Sequence, residues 1–356
     1  MKRYIAITAL LGILVCLFSG CGFWMDGERI SVEPYQQSGD VATKEVTAVT
    51  NYMQLRNAVV ELVEKGAERG VISAADFIIP SVHFYVDMAI RYVKNTHPVG
   101  AYALKDVTYE IGTNAGEAAI ALKFRYRIDR SAILHIDQAD NMQTAFSVIG
   151  DALSDCEPYV VIRVPAYEET DLVQWVRDYA ALHPDVVMEV PDTEAAVYPQ
   201  QGSDRIIELA FTYQSSRESL LNMQNVVEPV FTAAELYVKN AVQAQEKYAQ
   251  LYSFLMERSE YKLVTSITPA YSLLNHGVGD CKAFANVYAA MCRKAGLECY
   301  AIFGTRDGEP WTWNLIKFNG SYYHLDLLRS AENGEFTPVP APELTGYVWD
   351  YSAYPD

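Results

Sequence analysis

Gly277–Gly296 reads GVGDCKAFANVYAAMCRKAG, and this stretch decides the fold of the C-terminal third. Two glycines and Asp280 make a tight turn that leads into an apolar, alanine-rich run. Asp280 sits immediately before Cys281, and the run Lys282–Lys294 reads as helical. Gly296 stops it, as glycine does past a helix C-terminus. Cys281 therefore stands at a helix start, where a thiolate is easiest to form. An apolar strand, CYAIFG, follows at 299–304. Next comes WTWNLIKFNGSYYHLD, 311–326, where Asn319-Gly320 between alternating runs is the strongest short hairpin signal. A two-residue loop sets the register: Phe318 opposite Ser321, Leu315 opposite His324, Trp313 opposite Asp326.

These motifs, with the closing LTGYVWDYSAYP at 344–355, resemble the transglutaminase-like superfamily over roughly residues 235–356. The resemblance implies a papain-like fold, with a cysteine-bearing helix packed on an antiparallel sheet. It also implies acyl transfer or hydrolysis at amides by a Cys-His-Asp set. Cys281 takes the nucleophile position and Asp326 that of the orienting carboxylate. The family histidine lies two residues before a Trp-Asn pair, here Trp313-Asn314, and that position holds Trp311. Imidazole must accept the thiol proton and return it to the leaving group. Indole has one N–H donor and no acceptor. The expectation is therefore a catalytically inactive domain that binds peptide, protein or cell-wall material. The alternative is a thiol acyltransferase or peptidase that uses Cys281 and Asp326 with a substitute base. His276, five residues before Cys281, and His324, on the Asp326 strand, are the candidates. By the register, His324 is displaced about 13 Å along the strand from Trp311, at ~3.3 Å per residue. Trp311, Trp313 and Tyr322 share a predicted strand face. There Trp311 either plugs the old cleft or lines a groove with Tyr322.

Upstream, two stretches match in order and spacing. Met53-Gln54, His97-Pro98 and Phe124/Tyr126 recur as Met142-Gln143, His183-Pro184 and Phe211/Tyr213. Each stretch reads as an αβαββ unit. Val49, Met53, Val59, Leu62 and Val63 fall at helical spacing in the first helix. FIIPSVHFYV (77–86) and YVVIRVP (159–165) read as strands. The second helix of each unit ends at its His-Pro, since proline cannot continue a helix. Two alternating strands close each unit. From about Glu228 a single long amphipathic helix is expected to lead into the next domain. The fold class is thus α+β: repeat units at 46–135 and 136–220, followed by a transglutaminase-like domain at 221–356.

The first residues, MKRYIAITALLGILVCLFSGC, carry Lys2 and Arg3 before an apolar stretch of about 15 residues. That is the length of a signal h-region and too short to span a bilayer. Leu17–Cys21 resembles a bacterial lipobox. Residues 1–20 are expected to be a signal peptide, Cys21 the lipidated N-terminus and 21–45 a tether. The protein is then extracytoplasmic, held to the membrane through lipid on Cys21. The formal net charge of −17 argues against nucleic acid, since phosphate binding wants a basic face. There is no CxxC, no clustered His/Cys, no phosphate loop and no dinucleotide fingerprint. No metal and no cofactor is expected.

Overall fold

The computed structural model describes residues 47–355, apart from 75, 76, 78, 115, 116 and 264. The signal peptide, Cys21 and the tether lie outside the described residues. Strands β1 (Thr47–Ala48), β2 (Arg69–Ser73), β3 (Leu104–Asn114) and β4 (Glu117–Tyr126) form a sheet of order β1-β2-β4-β3. Its first helix, Tyr52–Glu64, begins where the Asn51 side chain accepts from the Gln54 amide, satisfying one of the orphan N–H groups of a helix start. This helix buries Leu55, Ala58, Val59 and Val63. Val49 precedes the cap, and Met53 faces solvent. The segment expected as a strand at 77–86 instead enters the helix Ile79–Asn95, and the strand lies earlier, at Arg69–Ser73. Val82, Val86, Ala89 and Val93 are all buried. Their helical spacing outweighed the β-branched composition of the run.

The second sheet contains β5 (Asp137–Gln138), β6 (Tyr159–Val164), β7 (Asp192–Tyr198) and β8 (Arg205–Thr212), in the order β5-β6-β8-β7. In both sheets a two-residue strand pairs parallel to its neighbour, and the remaining pairs are antiparallel. The helix Met142–Ser154 starts at Asn141, which caps it through the Thr144 amide as Asn51 caps its counterpart. Arg163 ties the two sheets' elements together: it reaches Glu64 at 3.0 Å and grips both carboxylate oxygens of Asp204 at 3.0 and 2.8 Å.

The expected long helix is two helices, Arg217–Tyr237 and Ala244–Met256, the first starting earlier than Glu228. Ser216 caps the first, so one helix runs across the boundary drawn at 220. Strand β9 (Glu260–Tyr261) pairs with β10 (Val278–Gly279), with the helix Pro269–His276 between them. The helix Cys281–Lys294 then packs on a sheet of β11 (Cys299–Arg306), β12 (Glu309–Phe318), β13 (Ser321–Leu325) and β14 (Tyr347–Trp349). The sheet order is β13-β12-β11-β14, antiparallel throughout.

Asn319 (φ 53°) and Gly320 (φ 78°) form the two-residue turn between β12 and β13. Phe318 faces Ser321 and Leu315 faces His324. The ladder ends at Asn314–Leu325, so Asp326 lies just past it and caps the helix Leu327–Asn333. Period-two alternation divides the sheet's two faces. Ile316 and Leu325 pack toward Phe284, Val287, Tyr288 and Met291 of the Cys281 helix. Ile302, Trp313 and Leu315 pack on the opposite face, with Leu344 and Tyr347.

Candidate active site

Cys281 opens its helix and is half-buried. Asp280 caps this end, its carboxylate accepting from the Ala283 amide at 2.8 Å. The helix is fixed to the sheet by Asn314, which is fully buried and donates Nδ2 to the Ala285 carbonyl at 2.9 Å. The thiol points toward β12, close enough for the Thr312 backbone N–H to stabilise its anion. Burial nevertheless pushes the Cys281 pKa up, and the charges of Asp280 and Asp326 push the same way against the Thr312 and Lys282 amides. The helix-start position therefore does not make this cysteine acidic, contrary to the placement argument alone. Desolvation wins.

Asp326 is 4% exposed. Its Oδ1 accepts from the Leu328 and Arg329 amides at 3.0 and 3.2 Å. Its Oδ2 accepts from Trp311 Nε1 at 2.8 Å, Tyr347 OH at 2.6 Å and Arg306 Nη1 at 3.3 Å. Burial and then the Asp326 carboxylate hold the Tyr347 phenol well above its ordinary pKa, so it stays a donor. The carboxylate thus has five donors.

Trp311 stands beside this carboxylate. Its indole makes the N–H-to-carboxylate bond that an orienting carboxylate offers an imidazole. It brings no second nitrogen to take a proton. The ring packs on the same cluster as Cys281. Tyr261 leans on it at 5.8 Å between centroids, and the Arg306 guanidinium lies 5.2 Å from the ring centre. Tyr261 arrives here through the β9–β10 pairing, which sets it beside Gly279. Its phenol is pushed up by burial and then by Cys281 and Asp280. The space bounded by Cys281, Thr312, Asn314 and Asp326 has no room for a water molecule (≈ 0 Å³).

The other sequence candidates lie apart. His324 is 4% exposed, and its Nδ1 accepts from Trp313 Nε1 at 3.0 Å. Burial lowers its pKa to about 4. It packs at 4.6 Å from Trp349, on the face away from the Cys281 helix. His276 is exposed at the end of its helix and meets Tyr271 edge-on at 5.3 Å. Trp313 is 1% exposed and belongs to the core. Tyr322 bonds Glu298 and Lys317. The three aromatics of the expected groove therefore split: Trp311 on the Asp326 carboxylate, Trp313 inside beside the filled space at Cys281, Tyr322 on the rim of the far face. Sequence reasoning missed Tyr261, Arg306 and Tyr347. Tyr347 sits inside the quoted LTGYVWDYSAYP motif and was the one that could have been found. Among the described residues no cluster of His, Cys, Asp and Glu is placed to hold a metal. No helix among them is long and apolar enough to cross a membrane.

Residues 232–327 match the family model of the transglutaminase-like superfamily. No curated protein matches the chain. Solved structures that resemble it include a transglutaminase at 10% identity, covering 48% of this chain and 50% of that one with a TM-score of 0.27. A proposed cysteine protease from Cytophaga hutchinsonii matches at 12% identity, over 44% of this chain and 70% of that one, with a TM-score of 0.27. A proposed protease from Parabacteroides distasonis matches at 9% identity, over 72% and 39%, with a TM-score of 0.24. This chain thus spans about half the length of the transglutaminase structure.

Proposed function

We propose that the transglutaminase-like domain matched at 232–327 has lost catalysis and acts by binding. The observation that carries this reading is the Trp311 Nε1–Asp326 Oδ2 bond of 2.8 Å. The family's base position holds a group that can orient on the carboxylate and cannot take a proton. The raised thiol pKa and the filled space around Cys281 point the same way. His324 is committed to Trp313, and its low pKa makes it a poor acceptor of a proton near neutrality. Losing the base typically removes several orders of magnitude in rate.

The lipobox-like Leu17–Cys21 supports anchoring through lipid on Cys21, outside the cytoplasm, with residues 21–45 as the tether. The ligand is then a peptide, protein or cell-wall component. The matching sheet orders and the paired caps Asn51 and Asn141 support a duplication as the origin of the two N-terminal units. The deciding test is a screen of glutamine and amide substrates with ammonia release, or hydroxamate formation from added hydroxylamine, as the readout, run on the wild type and Cys281→Ala. Equal, background-level turnover supports the reading. Turnover that Cys281→Ala abolishes sinks it.

A further inference from the structure

On the sheet face away from Cys281 a pocket of ≈ 380 Å³ is bounded by the β12–β13 hairpin and the C-terminal segment. This is within the range of small-ligand pockets. Aromatic rings make its walls: Trp349 and Tyr351 lie 4.3 Å apart between centroids, with Tyr322 and Tyr354 nearby. Pro340, Pro342 and Pro355 complete an apolar rim.

The buried polar side chain among the lining residues is His324. It is 4% exposed, yet it lines the cavity. Its Nδ1 accepts from Trp313 Nε1 at 3.0 Å, and at a pKa of about 4 the ring is neutral at physiological pH. A neutral imidazole whose Nδ1 accepts must carry its proton on Nε2. That N–H has no protein partner among the described residues. A donor that faces the pocket with no protein partner is free to bond a ligand acceptor placed there.

From this arrangement we propose that the pocket binds an extended, proline-containing peptide segment of a partner protein. The inference deepens the binding reading above by naming its site and ligand. Three features select the ligand. The lining carries no lysine or arginine, so nothing there pairs an anionic group. Of the lining hydroxyls, Tyr322 OH already bonds Glu298 and Tyr354 OH already accepts from the Phe303 amide, which leaves those of Ser321 and Tyr351. A sugar ring needs hydrogen bonds at most of its hydroxyls, more than these two and His324 supply. A polyproline II segment has no N–H at proline, needs no acceptors and offers isolated carbonyls. It docks on aromatic walls at small ordering cost because it is already extended. One carbonyl on His324 Nε2–H and proline rings laid against the Trp349–Tyr351 pair match what the walls provide.

The test uses the full chain in detergent and fluorescence anisotropy. Probes are fluorescein-labelled hexaproline, a labelled Pro-x-x-Pro library and, as the competing class, labelled chitotetraose. The expected result is saturable peptide binding tighter than about 1 mM. Tyr351→Ala, at a 62% exposed residue, weakens it by about 2- to 10-fold. His324→Phe removes the donor and weakens it by a similar ~2- to 10-fold, with circular dichroism checking the fold. Tyr351→Ala keeps the test valid if the buried substitution misfolds. No peptide binding, chitotetraose binding in its place, or peptide binding indifferent to Tyr351→Ala overturns the proposal. The turnover assay on Cys281 reads separately whether the domain is inactive, so the two readings fail independently.

Discussion

On the proposed reading, replacing Trp311 by histidine supplies the base that Cys281 and Asp326 lack. The cavity is suited to it: Asp326 Oδ2 already accepts an N–H from this position at 2.8 Å. An imidazole bonded there through one nitrogen leaves the other free to accept a proton. An ordinary thiol near pKa 8.5 is about 0.3% thiolate at pH 6, and Cys281, pushed up by burial, lies below that fraction. If the restored pair brings the thiol to about 6.5, roughly 24% is thiolate at pH 6, a gain of about 80-fold. Lower basicity reduces nucleophilicity with a Brønsted slope near 0.45, which takes back about 8-fold. The net expectation is alkylation about 10-fold faster at pH 6. The assay is iodoacetamide labelling at pH 5–9, with Cys281 followed by peptide mass, and thermal melts confirming that each variant is folded. Wild-type labelling should rise tenfold per pH unit beyond pH 8 with no plateau at lower pH. A wild-type plateau near pH 6–7 refutes the argument that burial dominates at the helix start. A folded Trp311→His protein labelling no faster than wild type refutes the argument that the indole alone silences the thiol.

Tyr347→Phe removes a 2.6 Å bond to a buried carboxylate. It should lower stability by about 1.5–3 kcal/mol in urea titration, whereas Tyr300→Phe, whose partner Glu298 is exposed, should leave it nearly unchanged. Gly304→Ala should cost about 1–3 kcal/mol by overpacking, because its Cβ would stand 2.3 Å from the Val348 carbonyl oxygen and 2.8 Å from the Trp313 ring; a melting temperature equal to wild type refutes this. His324 has a folded-state pKa lowered to about 4 from 6.5. Its unfolded state therefore binds the proton first, and its share of stability, on the order of 3 kcal/mol, is complete above pH 6.5 and lost as pH falls toward 4. Urea midpoints of wild type and His324→Gln should converge over that window, and a constant gap contradicts the shift.

How much of this was legible in the sequence depends on the range of the interaction involved. The Asn319-Gly320 turn fixed a register that the structure keeps at Phe318–Ser321 and Leu315–His324, because turn chemistry is local. Asp326 was placed opposite Trp313 by extending that register one pair too far. Its side chain left the ladder to cap the next helix through Leu328 and Arg329. The run 77–86 misled because isoleucine, valine and phenylalanine suit a strand locally. Only the continuation through Ala89 and Val93 shows the helical stripe. The break at 238–243 carries no proline or glycine, so the single long helix was the natural expectation. Tyr261 is brought to the site by the pairing of β9 with β10 across an intervening helix, and no local signal marks it; Arg306 ends β11 just before the Asp307-Gly308 turn into β12, so its strand pairing is local while its reach to Asp326 is not.

The persistence of Asp326 beside a tryptophan follows from its neighbours. Five donors converge on this carboxylate, two of them the first amides of the helix Leu327–Asn333. Removing it would orphan the Tyr347 hydroxyl and two helix-start amides in a buried setting, each at a cost of about 1–3 kcal/mol. The Arg306 guanidinium would also lose its buried anion. Catalysis is therefore unnecessary to explain why the carboxylate stays. Cys281 has no such hold: its thiol is held by packing and weak amide contacts. The two positions make opposite forecasts. Cys281→Ala should be nearly silent in stability, within about 1 kcal/mol, while Asp326→Ala should cost several times more. A Cys281→Ala protein destabilised as much as Asp326→Ala would mean that the thiol takes part in a polar network, and the packing account of this site would fail.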